Sequence, residues 1–450
     1  MSDEARPSAP TFTQRHGTLI SVASTILVCY LSALLAVNLS FNPRTSGIIA
    51  KVFPHAGGSA VINQSSIDEA WRTIQGQYFL RDVPADLGTA GSERGMVDAI
   101  KAKYNDRFSA FLTKDQYSML QGDLSGQHNG VIGLSLEARC AGEKLCAPGQ
   151  NPTEAVVWNV LHGQPAEKAG LRNGDVLVAI ANAQANTLGK TPEEIISKAG
   201  PLIRGPAGTT VKITVSRGIQ TVVATATRAD LQIPSVFAQK MGPTLYLQVT
   251  GFNTDTGDVA RRLLQQNLAG ETSIILDLRN DGGGYVDAAQ KLASEFLTPG
   301  PKEKDVVVRR GRMDQGGNPN SAQNVAHDDI KSGGVAASPR MVVLVDASTA
   351  SASEIVTAAL HDYGRATVVG VKTFGKGSVQ LDFPLPDGND LHLTIEKWYG
   401  PNGETIDGQG VTPDASVDLG APDARFTLEA QSADASADPQ LQKALQIARG

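Results

Sequence analysis

The sequence predicts an α/β fold whose sheet-and-helix core is interrupted by a compact β-rich module and preceded by an N-terminal transmembrane helix. Three observations carry this expectation. The apolar runs TSIILDL (residues 272–278) and MVVLV (341–345) each lead through a turn into a helically spaced segment, the pattern of strands buried in a parallel sheet. Between residues 126 and 230 short strands alternate with turns instead. Between His16 and Arg44 there is no charged residue, and residues 18–39 exceed the roughly 20 apolar residues that cross a bilayer.

At 450 residues, 41% apolar and 19% charged, the chain can bury a full core and hold two or three globular units. The net charge of −6 shows no basic excess of the kind that marks nucleic-acid binding, so that class of partner is set aside.

Taken in order, residues 1–17 read as a short cytoplasmic N-terminus, 18–40 as the anchor or signal and 41–65 as a stalk. No A-x-A-like cleavage site follows the apolar run, which favours an uncleaved single-pass anchor with the bulk of the chain outside the cytoplasm. Residues 66–125 form an N-terminal helical part, with amphipathic segments at 67–80, 93–103 and 114–121. The module at 126–230 has strands at 131–138, 155–161, 175–180 and 210–217, a short helix at 165–171, and a further helix capped by Thr191 with Pro192 at its first position. Cys29 lies mid-span as an apolar filler, whereas Cys140 and Cys146 enclose only AGEKL and suit a disulfide across a hairpin tip in an oxidising compartment. Residues 231–421 resume the α/β pattern, with strands at 244–249, 272–278, 341–345 and 366–371 and helices at 256–268 and 353–363. Residues 422–450 read as a C-terminal tail with a helix.

The chemistry gathers in residues 346–380, where a strand, a tight turn and a helix meet at Ser351 and a later strand delivers the chain to the glycine-flanked Lys376. GVKTFGK (370–376) formally fits a phosphate loop, but Gly377 stands where Ser or Thr must hold Mg²⁺, and a strand rather than a helix follows. Ser351 with Glu354 also fits a capping box, which would make the serine a helix start and nothing more. The remaining reading is nucleophilic catalysis. His361 is nearly three helical turns from Ser351, and no histidine stands in a motif with an obvious carboxylate orienter, although His392 stays open. A lysine serves as base where burial makes its neutral form accessible, and apolar Phe374 and Val379 beside Lys376 suit such a setting. The three glycines after Leu278 open a helix, a place where backbone N–H groups converge on an anion.

Two resemblances sharpen these readings. NGVIGLSL and PAEKAGLRNGDVLVAI are similar to the carboxylate-binding loop and the most recognisable stretch of PDZ domains. The backbone N–H groups of Val131, Ile132, Gly133 and Leu134 would then hold a peptide's terminal carboxylate while the next strand pairs with the peptide. TASASEIVTAALHDYGRATVVGVKTFGKGSVQ resembles the signature of the carboxyl-terminal processing (tail-specific) proteases, Ser/Lys endopeptidases with an inserted PDZ domain. DRFSAFLTKDQYSML, ILDLRNDGGG and YGPNGETIDGQGVTPD follow in family order, so the likeness covers residues 65–420. It implies a crotonase-like α/β protease core, Ser351 as nucleophile, Lys376 as general base and Gln380 as the residue orienting the lysine. It also implies an oxyanion hole from the N–H groups of Ala352 and Gly283; Asp281-Gly282-Gly283-Gly284 replaces the frequent N-P-G-G, which leaves Gly284 open as the alternative. No cofactor or metal is implied. The implied partners are protein substrates with free apolar C-termini, the inner membrane through the N-terminal helix, and room for an adaptor protein, with catalysis on the periplasmic side and gating by the PDZ domain through Arg172. The competing reading is a catalytically silent PDZ scaffold, against which intact Ser351, Lys376 and Gln380 argue.

Overall fold

The computed structural model describes residues 64–139, 153–420, 424–428 and 434–450. The expected membrane span and the Cys140/Cys146 pair fall outside them. Among the described residues no helix is long and apolar enough to cross a membrane. Residues 128–231 belong to one compact unit, which interrupts in sequence a second built from 64–127, 232–418 and 440–450.

The first unit is organised on an antiparallel sheet ordered Leu134–Arg139, Glu154–Val160, Val176–Ile180, Thr210–Arg217, Gln220–Thr227, with the two-residue Ala183–Gln184 added to Val176–Ile180. Helix Pro192–Ile203 starts where expected, because Thr191 Oγ1 accepts the Glu194 N–H at 3.3 Å and Pro192 needs no N–H partner there. Its Ala199 and Ile203 pack into one apolar cluster with Ile132, Leu134 and Leu136. The run at 131–138, expected as one strand, is broken at Gly133 into Gln127–Val131 and Leu134–Arg139. Gly133 has φ 76°, and a Cβ there would lie 2.7 Å from Gln164 Cβ, so conformation and space both demand glycine.

The second unit carries two sheets. The first runs Val236–Met241, Thr244–Val249, Ser273–Asp277, Arg340–Val345, Thr367–Gly370, Ala415–Ser416, parallel from the second strand onward. Thr244–Val249 and Ser273–Asp277 are buried at every position, which is why they read as apolar runs without alternation. Helices Thr256–Asn267, Val286–Ser294 and Ala352–Asp362 bury Leu264, Leu292 and Ile355 in a single core with Ile274 and Val343 of this sheet. The second sheet, all antiparallel, is centred on Asp390–Tyr399, which pairs with Ala110–Leu112, Asp305–Gly311 and Ser378–Pro384, while Asn324–Asp329 adds to Asp305–Gly311. This sheet brings the strand after Lys376 together with the segment after the N-terminal helices.

At the start of the central strand, Asp390 is fully buried and its carboxyl is pushed up to about 7, first by burial and then by the charge of Asp382. Its proton is kept in the fold while the unfolded chain releases it, so stability falls as pH rises from the ordinary aspartate range to about 7. Asp390→Asn is therefore expected to raise the melting temperature at pH 8 by about 3 °C or more and to change it little at pH 4. An equal shift at both values would disprove that titration.

Candidate active site

Strand Arg340–Val345 ends in a turn that leads into helix Ala352–Asp362, and Ser351 sits at the junction with φ 56° and ψ −116°. That backbone is rare for a residue with a side chain and persists only where the surroundings over-determine it. They do. Asp346 Oδ1 accepts the N–H groups of Ser348, Thr349 and, across the turn, Asn280. The carbonyl of Asp281 accepts the Ala350 N–H at 2.9 Å and the Ser353 hydroxyl at 3.0 Å, clamping the chain on both sides of the serine. Ser353 through its hydroxyl and Ser348 through its backbone N–H thus brace the turn.

Glu354 ties this turn to the lysine loop. Its fully buried carboxylate accepts the Ser351 N–H at 2.9 Å and the Lys376 N–H at 2.8 Å on Oε2, and the Gly375 N–H at 2.7 Å and the Thr373 hydroxyl at 2.5 Å on Oε1. Two donors on one oxygen keep the backbone nitrogens of Ser351 and Lys376 no further apart than the sum of those two bonds. Burial pushes the Glu354 carboxyl up, and the four hydrogen bonds oppose that by favouring the charged form. The sequence offered Glu354 only as half of a capping box, and that half exists; its larger role spans 22 residues of sequence through backbone donors.

Lys376 is 3% exposed. Its carbonyl accepts the Trp398 indole N–H at 2.9 Å, and the next N–H, of Gly377, donates to Asp407 at 3.1 Å. Gly375 has φ 87°, and a Cβ there would lie 2.9 Å from the Gly410 nitrogen, so the position before the lysine admits no side chain. The Lys376 ammonium position lies 5.1 Å from the centre of the Phe108 ring. Four residues on, Gln380 donates its side-chain amide to Ser378 Oγ at 2.8 Å and Thr394 Oγ1 at 3.2 Å.

Ala352 opens its helix, where a backbone N–H has no partner within the helix itself. Gly283, with φ 98°, abuts Ser351: a Cβ there would lie 2.8 Å from both Ser351 Cβ and the Ala352 nitrogen. Its N–H donates to Asp281 Oδ1 at 2.8 Å. Burial pushes the Asp281 carboxyl well up, against the opposing effect of that Gly283 N–H. At Gly284, with φ 147°, a Cβ would overlap the carbonyl of Phe252.

Histidine partners were the feature the sequence concealed. His162, His327, His361 and His392 each meet a carboxylate, of Glu167, Asp305, Asp414 and Asp382 respectively. The pair His392–Asp382, at 2.6 Å, comes from directly opposed positions on adjacent strands and has the local geometry of a base with its orienter. His392 lies only two strand residues from Thr394, which meets Gln380, so distance along the strand does not separate it from the lysine; what distinguishes the two is Glu354, whose Oε2 joins the backbone of Lys376, and not that of His392, to Ser351.

In the first unit, the carbonyls of Ile132 and Gly133 accept the N–H groups of Ala166 at 2.8 Å and Leu161 at 3.0 Å, which fixes the loop of Val131, Ile132, Gly133 and Leu134 against the short helix Pro165–Lys168. Arg172 donates its backbone N–H to the buried Asp175 at 2.9 Å, and Asp175 also takes a forked pair of bonds from Arg217. Among the described residues no group of three or more His, Cys, Asp or Glu side chains is placed to hold a metal.

Comparison with known proteins identifies the two parts of the chain. Residues 243–417 match the model of peptidase family S41, and residues 130–227 match that of the PDZ domain. A "Probable CtpA-like serine protease" of Staphylococcus saprophyticus subsp. saprophyticus is 29% identical over 418 residues, 93% of this chain and 76% of the relative. A protein of the same description from Staphylococcus aureus strain MRSA252 is 30% identical over 403 residues, 89% of this chain and 71% of the relative. Among solved structures, the photosystem II D1 C-terminal processing protease superposes with a TM-score of 0.51 at 23% identity, covering 82% of this chain and 96% of that one, a likeness of fold. The reading as a silent scaffold gives way: the chain belongs to peptidase family S41 and is a serine-type endopeptidase of the C-terminal processing group that carries a PDZ domain.

Proposed function

We propose that this endopeptidase is anchored in the inner membrane by residues 18–39, works on the periplasmic side, and cleaves proteins by a Ser351/Lys376 acyl-enzyme mechanism after its PDZ domain has taken hold of an apolar C-terminus. The observation that carries the mechanism is the Glu354 carboxylate, which joins the Ser351 and Lys376 backbones on a single oxygen. Charge-free residues 18–39 support the anchor.

In the acylation step the neutral amine of Lys376 takes the Ser351 hydroxyl proton as Oγ attacks the substrate carbonyl. The Ala352 N–H at the helix start stabilises the resulting oxyanion, together with a glycine N–H from Gly283 or Gly284. The lysine ammonium then protonates the departing amine, the peptide C–N bond breaks, and an ester to Ser351 remains. A water gives its proton to Lys376 as it attacks that ester, and collapse returns the proton to Ser351 with release of the new carboxyl terminus. Gln380 holds the lysine in line, and the Phe108 ring lies 5.1 Å from its nitrogen.

The test of substrate capture uses one unfolded protein ending in apolar residues, offered with a free C-terminal carboxylate or as the C-terminal amide. Cleavage of the amide form is expected to be at least ~10-fold slower at low substrate concentration, because the loop loses a charge-assisted partner. Equal rates would remove the C-terminus from the recognition step. Arg172, proposed as the gate, is expected to alter this free-to-amide ratio on replacement by alanine, since its side chain is not needed for the Asp175 contact that its backbone makes.

A further inference from the structure

The Gln380 amide is held by a hydrogen-bond chain that begins far away in sequence, at Asp106. Asp106 is buried, and its carboxylate takes bonds from the Tyr78 hydroxyl at 3.1 Å, the N–H groups of Phe108 at 2.9 Å and Ser109 at 3.2 Å, the Ser109 hydroxyl at 2.5 Å and the Thr394 hydroxyl at 3.0 Å. Burial and the neighbouring Asp106 push the Tyr78 hydroxyl up, which keeps it a donor. Five donors converging on one side chain is what a carboxylate, with no proton to give, requires.

The direction of each bond then follows. Thr394 spends its hydroxyl proton on Asp106, so Thr394 Oγ1 faces Gln380 as an acceptor, and the atom 3.2 Å away must be the amide nitrogen. The other amide hydrogen goes to Ser378 Oγ at 2.8 Å. With both hydrogens committed, Oε1 is the end of Gln380 left to accept a bond. A bulge between Val379 and Gln380 sets this up by placing Gln380 opposite Thr394 instead of Ile395. The same carboxylate orders the turn bearing Phe108, whose ring lies 5.1 Å from Lys376 Nζ.

We propose that Asp106 and Thr394 are positioning residues for catalysis: they fix the Gln380 amide so that its oxygen, and never its NH₂, is offered to Lys376. A flipped amide would direct its NH₂ at the lysine nitrogen, competing for the lone pair of the neutral amine and opposing the ammonium that forms. This rests on the Ser351/Lys376 reading, and it makes the N-terminal helical part a component of the catalytic apparatus rather than a cover over it.

The purified full chain in detergent provides the test. Thr394→Val keeps the side chain's shape and removes the relay; kcat is expected to fall ~10- to 100-fold with KM changed less than about twofold. Thr394→Ser restores the hydroxyl and is expected to recover kcat to within about threefold of wild type. Ser378→Ala removes the other amide anchor and is expected to give a smaller fall in kcat of the same kind, which reports on the relay even where Thr394→Val fails to fold. Valine and serine variants alike in kcat, or changes in KM alone, would overturn the relay, as would wild-type kcat in Ser378→Ala should the valine variant not fold. Lys376→Ala, run in parallel, separates the two levels: inactivity there beside a wild-type Thr394→Val removes the relay and leaves the dyad standing, whereas retained activity removes the dyad itself.

Discussion

Lys376→Ala is expected to lower cleavage of an unfolded substrate at least ~10⁴-fold, as does loss of a nucleophile or base from other acyl-transfer enzymes. The chain should remain folded, because the fold uses the backbone of Lys376, through its N–H to Glu354 and its carbonyl to Trp398, and alanine keeps both. Ser351→Ala should match it, and the double variant should be no worse than either, since in the proposed mechanism the two groups act on one proton. His392→Ala is expected to stay within about threefold of wild type, because the Glu354 carboxylate ties the backbone of Lys376, and not that of His392, to Ser351. Initial rates with melting temperatures measured alongside decide this; activity surviving in Lys376→Ala and lost in His392→Ala would transfer the base to the histidine.

Glu354→Gln comes next in size. The substitution is isosteric, but a carboxylate holding four donors becomes an amide whose NH₂ must confront two of them. Whichever way the amide turns, it loses either the link to Ser351 and Lys376 or the link to Gly375 and Thr373. We expect kcat to fall ~100-fold or more, because a small displacement of a reacting group costs about that much. Stability should fall by about 1–3 kcal/mol for the buried donors left unsatisfied. Normal turnover at an unchanged melting temperature would show that the two loops hold their alignment without the carboxylate.

The strand, turn and helix around Ser351 were legible because buried parallel strands write themselves as apolar runs and the helix repeats at its own period. Other features were hidden for identifiable reasons. Glu354 acts on backbone N–H groups, which every residue has, so nothing at positions 375 or 376 announces the contact. The second sheet depends on pairings such as Ala110 with His392, between segments of ordinary alternating composition that local pattern cannot bring together. Asp106 lay inside a stretch noticed only for its family likeness, and one of its hydroxyl partners, Thr394, is 288 residues away. The histidines were hidden in the opposite sense: their carboxylate partners come from neighbouring strands and turns, and His392 with Asp382 has the local geometry of part of a triad. At the glycine turn the sequence left two candidates, and the bond from the Gly283 N–H to Asp281 makes Gly284 a serious alternative as oxyanion donor.

Covalent labelling tests the dyad most directly. The full chain is treated with a fluorophosphonate, which reacts with an activated serine, and the adduct is mapped by peptide mass spectrometry. The expected result is a single adduct on the peptide bearing Ser351, formed at a rate that collapses in Lys376→Ala and is unchanged in His392→Ala. An adduct on a different serine, or undiminished labelling of Ser351 in Lys376→Ala, would contradict the assignment of Ser351 as the nucleophile and Lys376 as its base.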